Sequence, residues 1–240
     1  MMICGGLPFT LYVATLRGNR QALLKDHQVR GFLGFLLVTW MVFGTWLWLH
    51  SDYSWFTAVR IVAVNVTSVV TTTGFALGDY TLWGSFSMML FFYLTFMGAC
   101  SGSTSGGLKI FRFQVAYVLL RANLQQLVHP RAVIKQQYNN HNLDEDIVRS
   151  LITFSFFFTI TIGIIALGLA LIGLDWVTAL TGAATAVCNV GPGLGPIIGP
   201  AGNFASLPDS AKWLLTIGML LGRLEILTVF VLVTRAFWRH

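Results

Sequence analysis

Two short stretches place oxygen-bearing side chains beside a glycine in otherwise apolar surroundings. They consist of Thr71, Thr72, Thr73 and Gly74, and of Asn189, Val190 and Gly191. Hydroxyl and amide oxygens can face a cavity or neighbouring backbone, and glycine adopts backbone conformations that other residues avoid. An extended backbone can also present carbonyl oxygens in place of the water shell of an ion. The two stretches therefore predict a backbone that binds a cation.

A third polar stretch interrupts another apolar segment. It consists of Ser101, Gly102, Ser103, Thr104, Ser105, Gly106 and Gly107. A flexible polar run cannot pack as a helix that faces lipid, so it must break the helix inside the protein. The spacing GxxxxGK[ST] of a phosphate-binding loop is missing, and so is GxSxG, because the central residue of the pentapeptide is Thr104. We expect an intramembrane loop and no phosphate or nucleophile chemistry.

The composition is that of an integral membrane protein. Of 240 residues, 55% are hydrophobic and only 10% are charged, whereas a soluble domain carries about 25% charged residues. The net charge of +6 does not indicate nucleic acid, because the charges lie almost entirely between the apolar runs, as membrane topology requires. The expected surroundings are a lipid bilayer.

Long and short apolar segments alternate along the chain. About 18–20 apolar residues span a bilayer as a helix. The long segments are residues 32–49, 82–99 continued by 110–120, 151–174 and 213–237, and the short ones are residues 55–70 and 176–187. Each short segment precedes one of the cation-binding stretches. The carboxyl end of a helix carries about half a negative charge, so a re-entrant helix that ends there favours a cation.

The same order of features occurs twice. "WFTA" begins the first short segment and "WVTA" the second, and Gly74 and Gly191 follow them. The pair Gly98 and Gly102 likewise corresponds to Gly218 and Gly222, and such spacing allows close helix packing. The predicted fold is an all-α integral membrane protein with two tandem helix–pore helix–helix repeats. The expected division is residues 1–30 as the end of a preceding helix with a linker, 31–128 and 147–240 as repeats, and 129–146 as a cytoplasmic linker.

The charged residues predict the orientation. Lys and Arg cluster before the first span, between the repeats and after the last span, while Asp52, Asp79, Asp175 and Asp209 lie on the other side. By the positive-inside rule, the linker and the C-terminus are cytoplasmic, and both pore helices enter from outside. Three separated cysteines, Cys4, Cys100 and Cys188, are expected to be buried without a metal or a disulfide.

Two ionisable residues, Arg223 and Glu225, lie within the last apolar segment. Such groups at membrane depth face a partner or a water path. Arg223 could face the pore, form an ion pair or extend to the cytoplasmic interface. Glu225 is expected to pair with a group of another repeat or of the loop. Because it lies two residues from Arg223, its side chain points to a different face of the helix.

The motifs "TTTGF", "GACSGSTSGGLKIFR", "NVGPGLGP" and "GMLLGRLEILTVFVL" resemble the TrkH potassium-uptake family. The resemblance extends over the whole chain and corresponds to the third and fourth of that family's four repeats. It implies K⁺ as the transported ion, no covalently bound cofactor and a multi-pass protein of the bacterial inner membrane. It further implies a homodimer and a TrkA-type cytoplasmic nucleotide-binding subunit as partners.

The resemblance also assigns residues. It implies that Thr72, Thr73, Gly74, Asn189, Val190 and Gly191 belong to two quarters of a selectivity filter. The gate is then the loop at residues 101–107 together with Arg223, which would project into the pore below the filter.

Two repeats alone cannot enclose a fourfold path. We expect a fragment that an N-terminal half or a second copy completes. The alternatives are a non-transporting membrane scaffold that assembles through its GxxxG faces and an intramembrane enzyme that uses Ser or Cys. The enzyme would need a paired base, and no histidine lies inside an apolar segment. The sequence leaves K⁺ and Na⁺ as alternatives for the selected ion, and channel-like and ion-coupled transport as alternatives for the mechanism.

Overall fold

The computed structural model describes residues 1–19, 21–131, 135–139 and 141–224, together with residues 228, 231 and 238. The elements in chain order are α1 (Met2–Gly5), α2 (Phe9–Leu16), α3 (Ala22–Lys25), α4 (His27–Leu49), α5 (Trp55–Val70), a 3₁₀ helix (Tyr80–Trp83), α6 (Ser85–Phe96), β1 (Met97–Gly98), β2 (Leu108–Lys109), α7 (Ile110–Val128), β3 (Gln137–Tyr138), β4 (His141–Asn142), α8 (Glu145–Leu171), α9 (Trp176–Cys188) and α10 (Asp209–Arg223).

The helices form two similar groups. In the first, the short helix α5 packs on α4 and α6, and in the second, the short helix α9 packs on α8 and α10. Helices α4 and α8 have 23 and 27 residues and are long and apolar enough to cross a membrane. The predicted all-α class with two helix–pore helix–helix units is confirmed. The predicted last span extends to residue 237, and its part after residue 224 lies outside the continuously described residues.

Local capping explains where the pore helices begin and end. Ser54 and Asp175 precede α5 and α9, and their side chains accept hydrogen bonds from backbone amides of the first turn. A residue with left-handed backbone follows each helix: Thr72, with φ 53°, comes directly after the cap of α5, and Asn189, with φ 56°, is itself the cap of α9. A positive φ stops a helix, so the sequence-equivalent positions share one terminating conformation.

The third helix of the first group is broken. Helix α6 ends at Phe96, and α7 resumes at Ile110. Strands β1 and β2, on either side of the loop, pair in parallel. The predicted helix packing through Gly98 and Gly102 is therefore wrong, because Gly98 lies in β1 and Gly102 lies in the loop with φ +75°.

The second glycine pair does mediate close helix packing. A Cβ on Gly218 would lie 2.8 Å from Cδ1 of Ile165 in α8. A Cβ on Gly222 would lie 1.8 Å from the carbonyl oxygen of Val187 in α9. The contact with backbone requires glycine at position 222, whereas a side chain at position 218 would need only a shift of the terminal methyl group of Ile165.

One smaller expectation is also corrected. Cys4 is exposed, whereas Cys100 and Cys188 are buried as expected. The linker between the repeats contains a short antiparallel pair, β3 with β4. The hydroxyl of Tyr138 in β3 donates to Gln114 Oε1 in α7 at 2.6 Å, which docks the hairpin on that helix.

Helix α4 offers a matched test of the packing around the first pore helix. A Cβ on Gly44 would lie 2.7 Å from Cγ2 and 3.0 Å from Cα of Val59 in α5, whereas a Cβ on Gly34 meets no atom within 4 Å. We expect Gly44→Ala to lower the free energy of unfolding by about 1–3 kcal/mol through overpacking. Gly34→Ala should be neutral or stabilising by up to about 1 kcal/mol. Thermal unfolding of the two purified variants measures this difference, and equal melting temperatures would contradict the packing of α4 on α5.

Candidate functional site

The carboxyl ends of the two pore helices meet at Gly74 and Gly191. Their φ angles are +83° and +117°, which favour glycine. A Cβ on Gly74 would lie 2.7 Å from the carbonyl oxygen of Val190, and a Cβ on Gly191 would lie 3.6 Å from Cα of Gly74. The two cation-binding stretches predicted from sequence are thus in direct backbone contact.

The carbonyl groups of these stretches are available to a ligand. Within the described part of the chain, the carbonyl oxygens of the six residues accept no hydrogen bond; the residues are Thr72, Thr73, Gly74, Asn189, Val190 and Gly191. The partial negative charge of two helix ends lies beside them. Carbonyl oxygens without protein donors can bind a cation that has lost its water.

A cavity of about 520 Å³ opens beside this contact. Five of the six predicted residues line it, namely Thr72, Thr73, Asn189, Val190 and Gly191. Lys212 of α10 also lines it, and its ammonium group is 3.1 Å from Oδ1 of Asp209. Sequence reasoning missed Lys212, because nothing local indicates that it faces the predicted site.

The side chains of the two left-handed residues bond to protein. The Thr72 hydroxyl accepts a hydrogen bond from the Gly106 amide at 2.8 Å. The Asn189 amide donates to the carbonyl oxygen of Met219 in α10 at 3.1 Å. The sequence allowed these groups to face a cavity or neighbouring backbone, and the structure places them on backbone.

The polar loop at residues 101–107, here called the Ser/Gly loop, lies directly against the ends of both pore helices. Besides its bond to Thr72, Gly106 is so close to α9 that a Cβ there would lie 2.2 Å from the carbonyl oxygen of Cys188. Inside the loop, Ser105 Oγ accepts from the Ala99 amide at 3.2 Å and from Lys109 Nζ at 3.0 Å. The loop is therefore a packed element with internal hydrogen bonds that sits under the two stretches.

Arg223 contacts the same loop from α10. Its guanidinium group donates from Nη1 to the carbonyl oxygen of Thr104 at 2.7 Å. A cavity of about 330 Å³ lies between them, and Lys109 and Arg112 also line it. The Arg112 guanidinium carbon lies 3.8 Å from the ring centre of Phe154, a cation–π contact. Three basic residues thus border this cavity. Glu225 lies outside the described residues.

The N-terminal residues close on the loop from a further side. The Gly5 carbonyl oxygen accepts from the Thr104 hydroxyl at 3.1 Å, and the Gly6 carbonyl oxygen accepts from the Cys100 amide at 3.1 Å. Gln28, in the first turn of α4, accepts from the Ser101 amide through Oε1 at 2.9 Å. Sequence reasoning missed all three residues. The only signal for Gln28 was a polar residue in the first turn of a spanning helix.

The linker hairpin is connected to this region through Tyr138 of the hairpin and Gln114 of α7. Gln114 Nε2 donates to the carbonyl oxygen of His27 at 3.1 Å, and its Oε1 accepts from Tyr138. Burial raises the pKa of the Tyr138 phenol, and the charge of Asp26 adds to this shift. Tyr138 therefore stays protonated and remains a hydrogen-bond donor at neutral pH.

Comparison with known proteins gives consistent matches. A family model described as TrkH, cation transport protein, matches residues 2–239. The chain is 59% identical over 239 residues to the Trk system potassium uptake protein TrkI of Halomonas elongata, covering 100% of this chain and 48% of that protein. It is 32% identical over 245 residues to the Trk system potassium uptake protein TrkH of Escherichia coli, covering 100% of this chain and 49% of that protein.

A solved structure matches equally well. The crystal structure of the potassium transporter TrkH from Vibrio parahaemolyticus superposes with a TM-score of 0.90 at 32% identity, covering 99% of this chain and 51% of that one. The chain therefore spans about half the length of the relatives that it matches.

The bond between Thr72 and Gly106 gives a test of the loop that is independent of any activity. Thr72→Val removes the acceptor and leaves the Gly106 amide without its partner, which costs about 1–3 kcal/mol when the donor is buried. We expect amide hydrogen exchange in the peptide containing residues 101–107 to become roughly tenfold faster. Thr72→Ser keeps the hydroxyl and should exchange like the unchanged protein. Equal exchange in the two variants would contradict this attachment of the loop.

Proposed function

Since this chain belongs to the TrkH family of cation transport proteins, we propose that it supplies half of a transmembrane path for K⁺. The resemblance carried by its four motifs is confirmed, and family membership makes the chain a membrane transport protein. Thr72, Thr73, Gly74, Asn189, Val190 and Gly191 form two quarters of the selectivity filter. K⁺ loses its water to their backbone carbonyl oxygens and regains it below.

The contact between Gly74 and Val190 carries this proposal. It brings two sequence-distant stretches together at the negative ends of two pore helices. It also leaves their carbonyl oxygens without protein hydrogen-bond donors in the described part of the chain. Neither a scaffold nor an enzyme requires this arrangement. The GxxxG scaffold is further disfavoured because Gly218 and Gly222 are covered by α8 and α9 of the same chain.

The loop at residues 101–107 is the gate, and Arg223 acts with it. The loop lies against Thr72 and Cys188 at the two pore-helix ends, so an ion that leaves the filter must pass it. The Arg223 side chain holds the loop through Thr104 and places a positive charge next to the path. That charge raises the barrier for a cation.

A complete path needs two further filter quarters. We propose that they come from another pair of repeats, in an N-terminal half or a second copy. The complete subunit then forms a homodimer in the bacterial inner membrane with its C-terminus in the cytoplasm. There it is controlled by a TrkA-type nucleotide-binding subunit. The relatives' names support a Trk potassium uptake system.

K⁺ uptake in cells without their own K⁺ transporters tests the filter. We would express this chain alone, and this chain joined to the N-terminal half of the Halomonas elongata relative. The joined protein should take up K⁺. In it, Gly74→Ser should lower the ratio of K⁺ to Na⁺ uptake about tenfold or more, because the new Cβ meets the Val190 carbonyl oxygen at 2.7 Å.

Gly78→Ser is the matched control for this substitution. Gly78 has a φ of +81°, close to the +83° of Gly74, but a Cβ there meets no atom within 4 Å. It therefore reproduces the backbone strain without the contact and should keep the uptake ratio. An uptake ratio that Gly74→Ser leaves unchanged would overturn the filter assignment.

A second pair of variants separates the charge of Arg223 from its hydrogen bond. In the joined protein, Arg223→Gln removes the charge, and we expect K⁺ uptake to rise roughly tenfold. Arg223→Lys keeps the charge and should stay near the unchanged rate. Equal initial rates of K⁺ uptake in the two variants, at equal amounts in the membrane, would argue against an electrostatic barrier.

A further inference from the structure

We propose that Asn65 and Thr181 are positioning residues that hold the two filter segments at the spacing that selects K⁺. This inference rests on the proposed function. The filter segments are residues 73–77 and residues 190–194. Asn65 lies in α5 and Thr181 in α9. Each side chain bonds to the backbone of the leucine three residues after the filter glycine, Leu77 or Leu194.

Asn65 holds both polar groups of Leu77. The Leu77 amide donates to Asn65 Oδ1 at 2.7 Å, and Asn65 Nδ2 donates to the Leu77 carbonyl oxygen at 3.1 Å. The Asn65 side chain has an exposed fraction of 0%. A buried amide is costly unless it is hydrogen-bonded, so these two bonds fix its orientation. Asn65 therefore pairs with Leu77 as a neighbouring strand would.

Thr181 holds the backbone amide of Leu194 in the second repeat. The Leu194 amide donates to Thr181 Oγ1 at 3.1 Å, and the Thr181 hydroxyl donates to the Val177 carbonyl oxygen at 2.8 Å. Asn65 lies nine residues before Gly74, whereas Thr181 lies ten before Gly191. Two residue types at non-equivalent positions thus anchor equivalent points of the two segments. The anchor is therefore a requirement of the filter geometry, not a consequence of repeated sequence.

The first segment depends on its anchor more than the second. After the Thr73 amide, which donates to the Ser68 carbonyl oxygen at 2.8 Å, the next three amides make no hydrogen bond to any residue that the structure describes. These are the amides of Gly74, Phe75 and Ala76. Asn65 therefore holds the far end of this segment alone.

The second segment has additional bonds along its length. The Gly191 amide donates to Thr185 Oγ1 at 3.1 Å, and the Gly193 amide donates to the Ile198 carbonyl oxygen at 2.7 Å. Ser68 occupies the position in α5 that corresponds to Thr185, but its buried hydroxyl has no partner among the described residues. Loss of Thr181 is thus partly compensated, whereas loss of Asn65 is not.

A filter selects between ions through the number and spacing of its carbonyl oxygens. A segment fixed at both ends holds its oxygens where K⁺ needs them. A segment released at one end can close around a smaller ion. Removing an anchor should therefore change selectivity more than it changes the amount of folded protein.

The test uses this chain joined to the N-terminal half of the Halomonas elongata relative and measures the ratio of K⁺ to Na⁺ uptake. We expect Asn65→Leu to lower this ratio about tenfold, because both Leu77 bonds are lost from a buried site. Thr181→Val should lower it only about two- to threefold, because the other bonds of the second segment remain. Thr181→Ser keeps the hydroxyl and should restore the full ratio.

Thr161→Val is the control. Thr161 is buried in α8 and its hydroxyl donates to the Phe157 carbonyl oxygen at 2.8 Å, the same intrahelical bond that Thr181 makes. It lacks a bond to either filter segment in the described structure, so the uptake ratio should not change. If Asn65→Leu does not accumulate in the membrane, the uptake ratios of Thr181→Val, Thr181→Ser and Thr161→Val test the anchoring role instead.

Reduced uptake of both ions with an unchanged ratio in Asn65→Leu and Thr181→Val would overturn the inference, because these residues would then be only structural. Failure of the proposed function gives another pattern. If Gly74→Ser also leaves the ratio unchanged, the filter assignment itself is wrong. If Gly74→Ser lowers the ratio and the two anchor variants do not, only the anchoring role is lost.

Discussion

The convergence of the two pore-helix ends is the constraint on which the rest of the structure depends. Gly74 lies so close to Val190 that any side chain would collide with its carbonyl oxygen. The backbones can meet because left-handed residues, Thr72 and Asn189, follow the two helices and the chain then continues through glycine. Two carboxyl helix ends at one point concentrate partial negative charge there. A cation at this point offsets that charge, which is why the arrangement favours cation transport.

The same convergence determines where the Ser/Gly loop can lie. The loop packs under the helix ends through Gly106, which fits only without a Cβ beside the Cys188 carbonyl oxygen. Its amide then bonds to the hydroxyl of Thr72. Thr72 thus contributes its backbone to the proposed filter and its side chain to the proposed gate. A displacement of the loop would therefore change the contacts of a proposed filter residue.

The sequence predicts the local features of this fold well and its long-range contacts poorly. The ranges of α5 and α9 follow from the short apolar runs at residues 55–70 and 176–187, each followed by a glycine, which are signals within one segment. The polar run at residues 101–107 predicts the break in the third helix, but not that α6 already ends at Phe96, because the apolar run continues to Cys100. Helix packing through Gly98 was wrong for that reason. Gln28 and Gly5 contact the loop from far along the chain, and no local pattern indicates such contacts.

The bonds of the loop also indicate how the proposed gate must open. The loop is held by Thr72, Gln28, Gly5 and Arg223, which belong to four different parts of the chain. Each such bond contributes about 0.5–1.5 kcal/mol, so together they stabilise the closed position by roughly 2–6 kcal/mol. Thermal motion then opens the loop only rarely, and sustained opening requires work on the elements that hold it. A force applied to the linker hairpin would reach these elements, because Tyr138 and Gln114 connect the hairpin to the start of α4, next to Gln28. A cytoplasmic partner that moves this hairpin would therefore act on the gate without touching the ion path.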